Sequence, residues 1–117
     1  MPDTPRIILH NSDTAPHARW LQSSYPHADF RECDSYDALP VQIESYHPEV
    51  VYSVRFAGTP GFPRDALFGP HGPRWIANGG AGTDHYGQWD QAKTTVTNAA
   101  GVAAGMMAEY IFGGFLH

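Results

Sequence analysis

The chain has 117 residues, the length of a single domain, which excludes most multi-domain enzymes. Its 7 Lys and Arg against 12 Asp and Glu give a net charge of −5, and Arg6, Arg19, Arg31, Arg55, Arg64, Arg74 and Lys93 stand singly, so no basic stripe exists to displace counterions from a nucleic acid. A hydrophobic share of 42% with 16% charged residues marks a globular chain, and a chain of this mass buries about two-thirds of its surface, enough for a core without staples.

In chain order, short β-like runs alternate with helical stretches. Arg6-Ile7-Ile8-Leu9-His10 is a compact apolar run ended by the turn cluster Asn11-Ser12-Asp13. Residues 15–24 read as a helix with Ala18, Trp20 and Leu21 as its apolar contacts. Residues 29–33 form a weak second strand. Asp37 is placed to cap a helix through Tyr46, in which Leu39, Ile43 and Tyr46 fall at helical spacing. His47-Pro48-Glu49 breaks that helix, and Val50-Val51-Tyr52-Ser53-Val54 is the clearest strand.

Residues 58–72 are rich in Gly and Pro and read as loop, with a helical turn around 63–68. Trp75-Ile76-Ala77-Asn78 is a fourth strand running into Gly79-Gly80-Ala81-Gly82, after which Thr83 or Asp84 can cap a short turn. Residues 94–97 make a fifth strand and 102–116 a last helix. Strands alternating with helices predict an α/β fold: a flavodoxin-like, doubly wound parallel sheet of about five strands, covered on both faces, with a protruding C-terminal helix.

The glycine run is the sharpest local feature. A glycine-rich turn at the carboxyl end of a parallel strand bares backbone N–H groups, which suits a carboxylate or a phosphate; a plain tight turn accounts for the same glycines. The dinucleotide fingerprint is incomplete, because His85 stands where its third glycine belongs, and no Walker A lysine is present. His10, His17, His27, His47, His71, His85 and His117 include no pair at i, i+4 on one helix, so no metal site is expected. Adjacent Asp84 and His85 point in different directions on a helical turn, so Asp84 is expected to cap and His85 to pack near the loop. Cys33, the single cysteine, forms no internal disulfide, and no signal peptide precedes Arg6. Both points give a cytoplasmic expectation. Arg55, just past the third strand, is a second anion contact or a plain surface arginine.

Residues 99–116 approach membrane-spanning length, but Glu109 and four glycines exclude a transmembrane reading. The 102–116 helix is apolar nearly all round, and six large apolar side chains left wet would forgo about 9–18 kcal/mol. It is expected to be covered by further chain or by a second subunit, as a homodimer through this helix.

Trp75-Ile76-Ala77, Gly80-Ala81-Gly82-Thr83-Asp84-His85, Val96-Thr97-Asn98-Ala99-Ala100-Gly101-Val102-Ala103 and Met107-Ala108-Glu109-Tyr110 together resemble the NAD-dependent D-isomer-specific 2-hydroxyacid dehydrogenases. The likeness is close over about the last 40 residues and architectural before them. It implies a substrate-binding domain over 1–101 and the start of an interdomain linker helix over 102–117, with the NAD-binding Rossmann domain absent. It further implies that Gly80, Ala81 and Gly82 hold a substrate carboxylate through backbone N–H groups, with Asn98 beside the substrate. Hydride transfer between 2-keto and D-2-hydroxy acids would then use NAD or NADP held elsewhere, and no catalytic residue lies in this chain, which alone would be inactive. Gly105 departs from the family pattern. The alternative from the residues themselves is a free-standing flavodoxin-like module that binds an anion, another ligand or a partner.

Overall fold

The structure, a computed structural model, describes residues 5–54, 56, 59–79 and 84–98. Five strands, β1 (Arg6–His10), β2 (Asp29–Cys33), β3 (Val50–Ser53), β4 (Trp75–Asn78) and β5 (Thr95–Asn98), form one sheet in the order β2-β1-β3-β4-β5. Every pairing is parallel. Among the described residues, three helices cross over between strands: α1 (Ala15–Ser24), α2 (Leu39–Tyr46) and α3 (Arg64–Leu67), with a 3-10 turn at Asp84–Tyr86. This is the doubly wound sheet expected from the alternation of elements.

The alternation of side chains along each strand divides the core into two layers. Ile7, Leu9, Val50, Tyr52 and Ala77 meet Ala18 and Leu21 of α1 on one face. Ile8, Val51 and Ile76 meet Leu39 and Ile43 of α2, Leu67 of α3 and Tyr86 on the other. Residues on β1, β3 and β4 are buried on both faces, as central parallel strands must be. Each large apolar side chain so enclosed contributes about 1.5–3 kcal/mol. β2 lies at the edge, and its exposed Asp29, Arg31 and Glu32 explain why it reads weakly as a strand. It is tied inward by Tyr46, whose hydroxyl donates to Asp29 at 2.5 Å and whose ring lies 4.6 Å beneath the Arg31 guanidinium.

Local chemistry departs from expectation at the start of α2. Asp37 does not cap it: the helix begins after Ala38 with no side-chain cap. Instead the Ser35 hydroxyl accepts from the backbone N–H groups of Asp37 (3.1 Å) and Ala38 (3.3 Å), two residues and three residues on. Asn11 plays the comparable part after β1, its Oδ1 accepting from the Asp13 N–H at 2.8 Å. Thr14 precedes α1, yet its hydroxyl donates to Glu32 at 2.8 Å across to β2 and leaves the helix uncapped by a side chain. β3 stops at Ser53, one residue short of the expected run, and β5 is shifted one residue later than expected.

Residues 99–117 lie outside the described part, and with them the 102–116 helix, its expected covering, the homodimer through it, and the boundary at 101. Among the described residues, no helix is long and apolar enough to cross a membrane.

Candidate functional site

In the order β2-β1-β3-β4-β5 the connections leave β1 and β3 in opposite directions, opening a crevice beyond their carboxyl ends, where doubly wound sheets place their ligands. Strand register makes the chemistry of that edge specific. Cys33 pairs with His10, His10 with Ser53, Ser53 with Asn78, and Asn78 with Asn98. The last residues of all five strands therefore form a single rung of polar residues across the sheet.

At the centre of the rung His10, Ser53 and Asn78 are each fully buried. His10 Nδ1 lies 3.0 Å from Ser53 Oγ, and the Tyr86 hydroxyl donates to Asn78 Oδ1 at 3.0 Å. Burial lowers the His10 pKa to about 4, only partly offset by the Ser35 backbone carbonyl, so the imidazole is neutral near pH 7. Burial likewise pushes the Tyr86 phenol far above its usual range, against a smaller pull from hydrogen bonding with Ser53, and keeps it a donor. His10 Nε2 makes no hydrogen bond among the described residues.

An aromatic roof closes this centre. The His10 ring has Phe56 at 5.0 Å, Tyr36 at 5.7 Å and Phe62 at 6.2 Å. Tyr36 and Phe56 stack at 4.3 Å, and the Phe56 backbone N–H donates to the Tyr36 hydroxyl at 2.7 Å. That bond joins the β2–α2 loop to the segment after β3, the two segments that lead into α2 and α3 on one face of the sheet. Phe62 also meets the His85 ring edge-on at 4.6 Å, which places His85 in packing at the loop, as its sequence context suggests.

The rung is a set of neutral donors and acceptors. Cys33 donates its thiol proton to the Ser35 carbonyl at 3.2 Å, and burial pushes its pKa up, so it is a poor nucleophile. Among the described residues, no group of three or more His, Cys, Asp and Glu is placed to hold a metal ion. The remaining histidines are dispersed: His17 stands beside Tyr52 with ring centres 5.5 Å apart, and His47 stacks on His71 at the opposite edge of the sheet.

The residues singled out by the glycine run are only partly placed. Gly80, Ala81, Gly82 and Thr83, as well as Arg55, lie outside the described residues. Gly79 is described: its N–H donates to the Ser53 carbonyl at 2.9 Å, continuing the β3–β4 ladder past the rung. Asn98 ends β5 in register with Asn78. The buried pair His10 and Ser53 was not among the expected site residues. The available signal is that the apolar runs RIILH, VVYS and WIAN each end on a hydrogen-bonding residue.

No family model matches the chain, and no curated protein sequence does. Among the solved structures that match, three do so along nearly its whole length. A response regulator receiver domain protein (CheY-like) from Methanospirillum hungatei JF-1 is 13% identical with a TM-score of 0.67, covering 97% of this chain and 94% of its own. The signal receiver domain of a putative Luxo repressor protein from Vibrio parahaemolyticus is 12% identical with a TM-score of 0.64, covering 97% and 92%. A response regulator from Desulfuromonas acetoxidans is 18% identical with a TM-score of 0.59, covering 95% and 96%.

These findings overturn the dehydrogenase resemblance, and with it the reading as an NAD(P)-dependent oxidoreductase acting on 2-keto and 2-hydroxy acids. The physical reason lies in what the resemblance rested on. Of its motifs the structure describes chiefly Trp75–Asn78 and Thr95–Asn98, two neighbouring parallel strands of a doubly wound sheet. Neighbouring parallel strands of this kind belong to the architecture whatever chemistry it hosts. At these identities the chain shares with receiver domains their fold.

Proposed function

We propose that the chain is a signalling module of the receiver type, which acts through contact with a partner protein. The observation that carries this reading is the buried, neutral rung at the carboxyl ends of the central strands. His10, Ser53 and Asn78 are fully buried there, and Tyr36, Phe56 and Phe62 pack around the His10 ring. A neutral, hydrogen-bonded rung suits conformational coupling more than bond-making. A change at the rung reaches two loops through the roof, because Tyr36 belongs to the β2–α2 loop and Phe56 to the segment after β3. The fold likeness to receiver domains over 97% of the chain supports the same reading, as does the alternative drawn from the residues themselves, a flavodoxin-like interaction module.

The test is to cross-link an affinity-tagged chain in its source cells, identify the attached protein, and measure its binding to the purified chain by calorimetry. A saturable one-to-one complex is expected. Failure of every cross-linked protein to bind the purified chain would overturn the proposal.

A further inference from the structure

The amino-terminal edge of the sheet, opposite the rung, holds a groove of about 280 Å³ whose lining includes Arg6, His47, Glu49, His71 and Arg74. The whole chain carries a net charge of −5, so two guanidinium groups and two imidazoles around one carboxylate run against its balance. The arrangement is held from several sides. Arg6 Nε donates to the His47 carbonyl at 2.9 Å, and Arg6 Nη1 lies 3.4 Å from Glu49 Oε1. Arg74 Nη2 lies 3.7 Å from the other oxygen, Glu49 Oε2. One carboxylate thus bridges two guanidinium groups at separations longer than good hydrogen bonds. The exposed rings of His47 and His71 stack 4.7 Å apart and 4° from parallel.

We propose that this groove binds a phosphate group, free or as a monoester, between Arg6 and Arg74, with Glu49 as the built-in competitor for the same two cations. Guanidinium groups stay charged and present planar forks of N–H donors that match phosphate oxygens. The stacked imidazoles add ring N–H donors along the wall. The Glu49 side chain keeps 26% of its surface exposed, so its carboxylate can turn to solvent when an anion arrives, without becoming an unpaired buried charge. The site stands on different residues from the rung, so its fate is independent of the proposed signalling role.

The experiment is a titration of the isotope-labelled chain with inorganic phosphate at fixed ionic strength, followed by amide shifts. Saturable shifts are expected at Arg6, His47, Glu49, His71 and Arg74, in the millimolar range. Glu49→Gln should tighten binding about threefold, the scale of one exposed ion pair, and Arg74→Gln should weaken it by at least as much. Phenyl phosphate binding more tightly than phosphate would assign a monoester; equal affinities would assign the free ion. The proposal is overturned if no saturable shift occurs at these residues, if acetate binds as tightly as phosphate, or if Glu49→Gln leaves the affinity unchanged. A purely structural ion-pair network would give that last result.

Discussion

His10 and Ser53 end neighbouring parallel strands in register, and the imidazole Nδ1 meets the hydroxyl oxygen at 3.0 Å with both residues fully buried. A histidine so placed is held by its neutral form. Among the described residues, the groups that face it are uncharged: Ser53 on β3, Tyr36 and the Ser35 carbonyl from the β2–α2 loop, and Phe56 and Phe62 from the segment between β3 and α3.

The first prediction concerns pH. The His10 pKa is lowered from 6.5 to about 4, so the unfolded chain binds a proton that the folded chain refuses. Stability from this group is complete above the unfolded pKa and is lost as pH falls from about 6.5 to about 4, by about 3 kcal/mol in all. Urea unfolding across that window should show the loss, and His10→Gln should remove this part of the slope while the carboxylate contribution remains. Equal slopes for the two chains would contradict the neutral, buried assignment.

The second prediction separates two candidate caps. Because Ser35 accepts from the N–H groups of Asp37 and Ala38, Ser35→Ala should cost about 1 kcal/mol, whereas Asp37→Ala should cost less than about 0.5 kcal/mol. Chemical denaturation of the two variants checks it. The reverse order would restore Asp37 as the cap.

A third prediction uses two glycines needed for space. A Cβ on Gly79 would meet the Tyr52 hydroxyl oxygen at 2.6 Å and Val54 Cγ2 at 2.7 Å, both side-chain atoms. A Cβ on Gly72 would run into the backbone carbonyl of Leu67, which cannot turn aside. Gly79→Ala should therefore cost about 1–3 kcal/mol, as overpacked sites do, and Gly72→Ala should cost more. Thermal melts of both variants decide the ranking.

Much of the fold was legible because it rests on local pattern. The runs 6–10, 29–33 and 75–78, the helix 15–24, and the inward residues Leu39, Ile43 and Tyr46 follow from apolar spacing and turn chemistry. Asp37 misled because an acidic residue just before a helix is a common cap, and only the turn geometry gives that task to Ser35. The site was less legible for a different reason. His10 and Ser53 are 43 residues apart, and only strand register brings them together. Histidines tested for helical i, i+4 spacing reveal nothing about partners across a sheet. The chemistry of the glycine turn is local and so stands out in sequence, and the same local pattern underlies the dehydrogenase resemblance that the fold comparisons overturn.

The central claim is that a partner protein meets a surface governed by the roof over the rung. Its most direct test is the calorimetric affinity of the cross-linked partner for the wild-type chain and for Tyr36→Phe. That variant keeps the ring stacked on Phe56 but removes the oxygen that accepts the Phe56 N–H. The account predicts a one-to-one complex weakened about tenfold, the equivalent of about 1.4 kcal/mol, in the variant. An unchanged affinity, or a purified chain that binds no such partner, would contradict it.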